Sequence, residues 1–419
     1  MRKHRKNWKN SLVYLENKAW RAGHKAQFFF TDAWEQRKLG EIAEVTKLAG
    51  FEFTEHVVYS DQGNTIALRG LNIKNGQLVL DDVKYIDDSN FIKLDRSKLY
   101  VDDIIFTYVG TVGEVAIIKE NNRFYLAPNV ARIRIKSNNS PKYISHYIRR
   151  ESFYNGVIFP LIATSSQPAL SMENIRKFEM FFPVQKAEEI KIAEFFESLD
   201  RLITLHQRKC DLLSKAKKTL LQKMFPKNGK TTPEIRFKGF TGAWEQRKLS
   251  QMCQITMGQS PDGTTYSDTP SDYILVQGNA DLKDGWVCPR IWTTQKTKTA
   301  DAGDLIMSVR APAGAMGKTA YNVVLGRGVA GIKGNEFVYQ ILVKMDSEGH
   351  WKKLAAGSTF ESINSDTVCN AEIIVPQDVE EQKAIGEYFK CLDTLITLHQ
   401  HELEKLQNIK KSCLKMMFV

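Results

Sequence analysis

The amino-acid sequence predicts an α+β fold: two β-rich α+β domains separated by two long helices that pack as an antiparallel coiled coil, with a pseudo-two-fold internal repeat. Three observations support this fold class. Two segments at the domain borders are repeated almost unchanged, short strand-like runs broken by turns lie between them, and a helical apolar period follows each domain. At 419 residues the chain has room for two domains that each bury their own core.

The internal repeat is anchored by two pairs of matching segments. Residues 31–39, TDAWEQRKL, recur at 241–249 as TGAWEQRKL, and residues 199–207, LDRLITLHQ, recur at 392–400 as LDTLITLHQ. Each pair agrees at eight of nine positions, and the two pairs stand in the same order. The sequence between them has diverged. This pattern indicates one scaffold built twice, with two domains that recognise different things.

The borders of the repeat divide the chain into parts of different character. Turn dipeptides such as Asn75-Gly76 and Asp284-Gly285 separate the strand-like runs within each domain. The predicted parts are a basic N-terminal extension at 1–30, a first domain at 31–183, a long spacer helix at 184–225, a linker at 226–240, a second domain at 241–376 and a second spacer helix at 377–419.

Both predicted helices carry an apolar stripe with a period close to 3.5 residues. The positions that we expect on the seam between the helices are Leu199, Ile203, His206, Leu213 and Leu220 in the first helix and Leu392, Ile396, His399, Leu403 and Leu406 in the second. We expect Leu202, Leu205, Leu212 and Leu221 to widen the first stripe. The other helix is the natural partner for each stripe. We expect the two histidines to be packed structural residues, and a pH-sensing role is the alternative.

The net charge of +11 would favour a nucleic-acid partner, but its distribution weakens that argument. Residues 31–183 carry a net charge of 0, and residues 241–376 carry −1. Gross charge therefore says little about DNA binding by the two domains. The six cysteines have no paired spacing, and no stretch has the apolar length of a membrane span. We therefore expect a soluble, cytoplasmic protein with reduced thiols.

Short motifs at the ends of both domains are those of one protein family. They are the Trp-Glu-(x)3-Leu segments at 34–39 and 244–249, Gly303-Asp304-Leu305, the segments 163–168 and 356–359, Pro376 with Glu381-Gln382, and Phe389 with Leu392-Asp393. Each motif is weak alone, but their order is specific. Over residues 31–419 the chain resembles the specificity (S) subunits of type I restriction-modification systems. The departures are Glu188-Glu189 in place of Glu-Gln, Asp102 in place of Gly, and residues 1–30, which lack the lead-in kept at 233–237.

The resemblance implies two target-recognition domains, each reading one half of a bipartite, asymmetric site in double-stranded DNA. It also implies that the helices act as a spacer and as a platform for other subunits. These are two methyltransferase (modification) subunits and the restriction/translocase subunits. Half-sites one turn apart lie about 34 Å from centre to centre, and a helix of about 55 Å spans that distance with margin. The subunit is expected to be non-catalytic, with no metal or cofactor, within a multisubunit methyltransferase and endodeoxyribonuclease.

Loop side chains with the donors and acceptors that DNA recognition needs are the candidate contacts. In the first domain these are Arg69, Asn72, Lys74, Tyr108, Thr111, Ser165, Ser166 and Gln167. In the second domain they are Gln277, Asn279, Lys283, Arg310, Lys318, Ser358 and Thr359. For the five serines and threonines among them, capping of turns and helices is an equally good interpretation.

Two other classes of function stay open. A coiled-coil adaptor whose repeated domains bind protein would have the same repeat and the same helices. The segment 314–319, GAMGKT, ends like a phosphate-binding loop with Lys318 as its lysine, but Pro312 stands where that motif needs glycine and removes a backbone N–H. Nucleotide binding is therefore disfavoured. The sequence also contains no methyltransferase motif and no recognisable catalytic nucleophile.

Overall fold

The computed structural model describes residues 34–48, 54–163, 167–227, 229–355 and 362–418. The chain forms two compact units. The first comprises the residues up to Thr204 together with Lys405–Val419, and the second comprises Leu205–Glu404. The predicted extension at 1–30 lies outside the described residues. Each unit therefore contains one β-rich domain and segments of both long helices.

The first unit combines short strands with short helices and ends in a long helix. Its strands are β1 Trp34–Lys38, β2 Ala43–Lys47, β3 Ile66–Leu68, β4 Ile73–Lys74, β5 Gln77–Leu78, β6 Lys84–Tyr85, β7 Ile104–Thr107, β8 Val115–Ile117, β9 Phe124–Leu126, β10 Val130–Ile135 and β11 Glu179–Pro183. Its helices are α1 Leu39–Ile42, α2 Pro141–Ile148, α3 Glu151–Phe153, α4 Met172–Arg176 and the long helix α5 Lys186–Lys223, which continues into the second unit.

A four-stranded sheet with the order β2-β10-β7-β8 forms the centre of the first domain. Its inner strand β7 has the sequence IIFT and is buried throughout, which explains its continuous apolar character. A second sheet, β6-β3-β9, and the hairpin β4-β5 complete the strand topology. Helix α2 begins with Pro141 after Ser140, whose hydroxyl accepts a hydrogen bond from the Tyr143 N–H.

The second unit repeats this plan with additional strands. Its strands are β12 Trp244–Lys248, β13 Gln254–Met257, β14 Tyr266–Ser267, β15 Tyr273–Val276, β16 Leu282–Lys283, β17 Trp286–Val287, β18 Ile291–Thr293, β19 Thr299–Ala300, β20 Leu305–Ser308, β21 Met316–Lys318, β22 Val323–Leu325, β23 Val329–Lys333 and β24 Glu372–Pro376. Its helices are α6 Leu249–Met252, α7 Glu336–Ser347, α8 His350–Leu354, α9 Ser365–Cys369 and the long helix α10 Val379–Met416.

The sheets confirm the repeat that the sequence predicts. The order β13-β23-β20-β21 of the second domain corresponds to β2-β10-β7-β8 of the first, and it is extended by β17 and β16. The repeated WEQRK segment has the same role in both domains, because it pairs antiparallel with the last strand and closes the domain. Trp34 lies opposite Pro183, and Trp244 lies opposite Pro376.

The two long helices run antiparallel within each unit. Each has 38 residues and is about 57 Å long at 1.5 Å per residue. In the first unit, Asp200 of α5 accepts a hydrogen bond from Lys410 of α10. In the second unit, Lys217 of α5 donates to Asp393 of α10 at 2.6 Å. This packing confirms the predicted coiled-coil arrangement. None of the described helices is apolar over enough of its length to cross a membrane.

The predicted seam residues are buried or half-buried in these helices. The Nδ1 atoms of His206 and His399 lie 3.3 Å apart, so the two repeated histidines contact each other. The expectation that the neighbouring leucines widen the stripe is wrong for Leu202, Leu205 and Leu212, which are 42%, 45% and 67% exposed. The seam is therefore a narrow two-helix contact, as a period of 3.5 residues favours.

The end of each long helix completes a domain core in the unit where that helix ends. After α10, Phe418 stacks on Phe196 with ring centroids 5.6 Å apart and belongs to the core of the first unit. After α5, Phe225 contacts Trp244 and Phe337 at 6.0 and 5.5 Å in the core of the second unit. The two phenylalanines stand at equivalent positions of the repeat. Each long helix therefore begins in one unit and contributes its last residues to the core of the other, an arrangement that we call the reciprocal exchange of helix ends.

We predict that Phe418→Ala destabilises the first unit and Phe225→Ala the second, each by about 3 to 5 kcal/mol, because a buried ring is removed. Amide hydrogen exchange resolves the two units and measures both effects. Leu212→Ala is the control, and it should change the free energy of unfolding by less than about 0.5 kcal/mol because the side chain is exposed. Faster exchange in the second unit after Phe418→Ala would contradict the reciprocal exchange.

A buried histidine makes the first unit sensitive to acid. His146 of α2 lies against the ring of Phe196, with centroids 5.3 Å apart, and its Nδ1 is 3.5 Å from Arg149. Burial and the neighbouring Arg149 cation lower the pKa of His146 to about 3. The folded protein therefore holds this imidazole in its neutral form over a pH range in which an unfolded chain protonates it.

We predict that the first unit loses stability as the pH falls from about 6.5 towards 3, by roughly 1.4 kcal/mol per pH unit from His146 alone. The sign follows because the unfolded state binds a proton in this range and the folded state does not. Urea unfolding of the wild-type protein and of His146→Gln between pH 7 and 4 measures the difference. Parallel stability curves for the two proteins would refute this assignment.

Candidate nucleic-acid interface

Three loops of the first domain meet around an open cleft of about 730 Å³. One loop leads into the hairpin β4-β5, the second connects β7 to β8, and the third connects β9 to β10. The residues that line the cleft are Tyr59, Arg69, Gly70, Leu71, Ile73, Lys74, Asn75, Val109, Gly110, Thr111, Glu114, Pro128 and Asn129. The cleft therefore brings together three of the predicted contacts, Arg69, Lys74 and Thr111.

The same backbone hydrogen bonds hold these loops together in both domains. They are Tyr108 N to Asn129 O and Ala127 N to Leu68 O, both 3.1 Å, in the first domain, and Val309 N to Gly328 O at 2.9 Å and Gly326 N to Val276 O at 2.7 Å in the second. The loop cluster is thus part of the repeated scaffold. What differs between the domains is the set of side chains that the loops present.

A buried hydroxyl closes the loop after the central strand. In the first domain Thr107 Oγ1 accepts from the Glu114 N–H at 3.0 Å and donates to Thr111 O. In the second domain Ser308 Oγ donates to Arg310 O at 2.9 Å. These hydrogen bonds fix the loop backbone on its buried side. The loop exposes Thr111 in the first domain and Arg310 in the second.

A buried polar side chain also shapes the loop before each hairpin. Asn72 is fully buried, accepts from the Arg69 N–H at 3.1 Å and donates to Val79 O and Asp82 O. Asp281 takes this place in the second domain and accepts from two backbone N–H groups. The prediction of Asn72 as a DNA contact is corrected accordingly, because its side chain is used within the loop.

Tyr108 needs the same correction. It is 9% exposed and belongs to the core of the first domain, where burial raises the pKa of its hydroxyl. Its residue type suits DNA recognition, but its side chain points into the protein. Its contribution to the cleft is the backbone N–H described above.

Lys318 is a structural residue and not the lysine of a phosphate-binding loop. Its Nζ lies 3.0 Å from Glu336 Oε2 and 4.5 Å from the ring centre of Tyr339, and its side chain is 12% exposed. The residues around it form strand β21, whereas a phosphate-binding loop leads into a helix. Lys318 is therefore removed from the candidate DNA contacts, and the nucleotide-binding alternative has no structural support.

Of the cationic side chains in the first cleft, Lys74 is the more accessible. Arg69 donates from Nη2 to the carboxylate and to the carbonyl oxygen of Asp82, both at 2.9 Å, which leaves its side chain 24% exposed. Lys74 and Thr111 are exposed at the rim. A ligand in the cleft would therefore meet an ammonium group, a hydroxyl and the outer edge of the Arg69 guanidinium.

The cleft also contains a carboxylate that our sequence analysis missed. Glu114 lines it and accepts a hydrogen bond from the Asn75 N–H at 2.8 Å. The corresponding position of the second domain is Ala315, since both residues follow the glycine at the end of the same loop, Gly113 and Gly314. Glu114 was not among the predicted contacts because a carboxylate has no donor, whereas the difference between Glu114 and Ala315 in the repeat is visible in the sequence.

The equivalent loops of the second domain carry a more basic set of side chains. Asn279, Lys283 and Arg310 are exposed, and Gln277 is half-buried. Arg327, in the loop between β22 and β23, is exposed as well. Arg327 was not among the predicted contacts because its flanking glycines indicated only a turn. The second loop cluster therefore presents three cations where the first presents a lysine, a shielded arginine and a carboxylate.

The remaining candidates lie around the first cleft or outside the described residues. Gln167 is exposed in a segment that packs on the cleft wall, where the Gly110 N–H donates to Pro168 O at 2.9 Å. The predicted contacts that lie outside the described residues are Ser165, Ser166, Ser358 and Thr359. Among the described residues, no group of three or more His, Cys, Asp or Glu side chains is placed to hold a metal ion.

Comparison with known proteins identifies the class to which this repeated scaffold belongs. The profile of the type I restriction modification DNA specificity domain matches residues 31–215 and matches again at residues 242–408. The chain therefore belongs to the type I restriction-modification specificity family. It is a DNA-recognition subunit with two recognition domains, as its resemblance to that family predicts.

Two relatives agree with this assignment, and one solved structure has a similar fold. The chain is 27% identical over 402 residues to the MjaX type I restriction enzyme specificity subunit of Methanocaldococcus jannaschii, covering 92% of each chain. It is 22% identical over 268 residues to the MjaVIII specificity subunit of the same organism, covering 58% of this chain and 61% of the relative. The fold is similar to the crystal structure of the S subunit from M. genitalium, with a TM-score of 0.68, 12% identity and coverage of 94% and 98%.

Proposed function

We propose that the two domains read the two halves of one bipartite, asymmetric DNA site. The observation that carries this proposal is the loop cluster built twice on the same backbone bonds with different exposed side chains. The first cluster presents Lys74 and Glu114, and the second presents Arg310 and Arg327. Each base pair has its own pattern of donors and acceptors in the major groove, so different side chains select different bases.

The chemistry of the two clusters suggests what each domain selects. An ionised carboxylate only accepts hydrogen bonds, so Glu114 suits a base with an exposed amino group, which is cytosine N4 or adenine N6 in the major groove. The second domain has Ala315 at that position and presents cations instead. Arginine binds guanine N7 and O6 in a bidentate manner, and both arginine and lysine position phosphates.

The long helices set the distance between the half-sites and dock the other subunits. The exposed leucines Leu202, Leu205 and Leu212 of α5 support a docking role, because exposed apolar side chains at spacings of three and seven residues on one helix are typical of protein interfaces. The partners that we propose are two methyltransferase subunits and the restriction/translocase subunits. These partners perform the chemistry, and the specificity subunit itself is non-catalytic and acts on DNA in the cytoplasm.

We predict that exchanging residues 31–183 for the first domain of another specificity subunit changes only one half of the methylated sequence. The second domain keeps its own loop cluster, so the other half should stay the same. Sequencing of modified adenines in host cells that carry the chimera measures both halves at once. A change in both halves, or a change in neither half, would overturn the proposal that each domain reads one half-site.

We predict that Glu114→Ala relaxes selection at one position of the first half-site, at a cost of about 1 to 3 kcal/mol in discrimination, because an acceptor in the cleft is lost. Competition binding by the complex with its methyltransferase subunits, using duplexes altered at single positions, measures the change. Glu120→Ala is the matched control, because this glutamate lies in the turn after β8 and pairs with Arg123. Equal effects of the two substitutions would exclude Glu114 as a base contact.

A further inference from the structure

In the first unit, one arginine connects the hairpin β4-β5 to both long helices. Arg149, directly after α2, donates from Nη2 to Asn75 O at 2.7 Å and from Nη1 to Asp200 Oδ2 at 2.9 Å. Asp200 lies on α5 and also accepts from Lys410 of α10. Burial opposes ionisation of Asp200, but Arg149 and Lys410 hold its pKa below the usual range. Asp200, which we call the anchor of this connection, is therefore a charged group that is largely shielded from water.

The shape of the hairpin turn fits this connection. Gly76 has φ +81°, and a Cβ at that position would lie 2.1 Å from Cζ of Arg149. The guanidinium group thus fills the space above the turn, which only glycine leaves open. A second bond in the same region runs from Gln77 Nε2 to Thr204 Oγ1 of α5 at 2.7 Å. The hairpin that presents Lys74 is therefore held on the helix from two sides.

In the second unit a longer chain of polar side chains starts from the equivalent anchor. Asp393 of α10 accepts from Lys217 of α5 at 2.6 Å and from Gln340 Nε2 of α7 at 2.8 Å. The same amide group also donates to Glu336 Oε1 at 2.9 Å. Glu336 in turn binds Lys318 of β21 at 3.0 Å. The path crosses the domain from the long helix to the sheet next to the hairpin.

This path ends at the hairpin β16-β17, which corresponds to β4-β5. Lys318 Nζ lies 5.1 Å from the ring centre of Trp286, and the Lys318 N–H donates to Gly285 O at 2.9 Å. Gly285 has φ +77°, and a Cβ there would lie 2.8 Å from the hydroxyl of Tyr339. The turn glycine is again covered by a polar side chain of the domain.

The networks of the two units start at equivalent aspartate and lysine pairs and end at equivalent hairpins, but different residues connect these ends. Asp200 and Asp393 are separated by 193 residues, and so are Lys217 and Lys410, which is the offset of the helix repeat. In both units the aspartate belongs to the helix that follows the domain, and the lysine comes from the other long helix. The connecting residues are unrelated: an arginine in the first unit and a glutamine, glutamate and lysine in the second.

We propose that Arg149 in the first domain and Gln340 in the second are positioning residues that orient each hairpin for reading its own half-site. This inference rests on the proposed function of the loop clusters. A hairpin with two residues in each strand is not stable in isolation, so its orientation depends on what holds it. Side chains that read bases need support that fixes them to within about 0.5 Å. The anchored networks provide that support, one for each half-site.

The test uses the full-length subunit in complex with its methyltransferase subunits and three duplexes: the cognate site, a site with the first half scrambled, and a site with the second half scrambled. Arg149→Met removes both bonds of the arginine and leaves the bond between Lys410 and Asp200 in place. It should lower the preference for the correct first half at least tenfold without changing the preference for the second. Gln340→Met should have the opposite selectivity.

Two further variants separate positioning from general stability. Arg149→Lys keeps a donor for Asp200 and should recover part of the preference for the first half. Lys142→Met is the matched control on α2, the helix directly before Arg149. Lys142 binds Glu197 of α5 at 2.7 Å without contacting the hairpin. This substitution should leave both preferences unchanged. Amide hydrogen exchange checks the folding of the first unit, where Arg149→Met should leave protection outside the hairpin unchanged; loss of protection throughout that unit would mean that the variant is destabilised, and would overturn the positioning role.

Each outcome of this experiment is decisive. The inference is overturned if Arg149→Met leaves both preferences unchanged or lowers both equally, or if Lys142→Met has the same effect as Arg149→Met. If the wild-type complex prefers none of the three duplexes, the proposed function of the loop clusters fails instead. A loss confined to the first half, with partial recovery in Arg149→Lys, supports the positioning role.

Discussion

The burial of Phe225 and Phe418 is the constraint on which the rest of the structure depends. Each long helix has 38 residues and carries an apolar seam that needs a partner. The antiparallel second helix provides that partner, and each helix ends among the aromatic residues of the domain core that it reaches. The helices are therefore integral to both cores. Within each unit, the ion pair of Asp200 or of Asp393 joins the same two helices.

Within each domain, buried groups hold the loops in place, and other side chains on the same loops vary between the repeats. Two backbone hydrogen bonds, a buried hydroxyl and a buried Asn72 or Asp281 build the loop cluster, and the side chains of Thr107, Ser308, Asn72 and Asp281 are all hidden from a ligand. Other positions on the same loops differ between the repeats, as the half-buried Glu114 and Ala315 illustrate. The frame can therefore carry different side chains at the cleft, because buried groups hold its loops in place.

The repeat and the helices were predictable from the sequence, because periodicity and near-identity are properties of neighbouring residues. The site was less predictable, since residue type does not reveal burial. Asn72, Tyr108 and Lys318 have the chemistry of DNA contacts, but tertiary packing directs them inward. Glu114 was missed because a search for donors excludes carboxylates. The connection from Arg149 to the hairpin joins residues that are far apart along the chain, and no local pattern indicates it.

The reciprocal exchange of helix ends has a consequence for the order in which the protein is made. A ribosome completes residues 34–204 long before it reaches Phe418, yet this phenylalanine is part of the core that those residues form. The second domain already has its phenylalanine when it is made, because Phe225 precedes this whole domain in the chain. The domain that is synthesised first therefore completes its core only when Phe418 is available, and until then it exposes the apolar surface around Tyr143 that Phe418 covers.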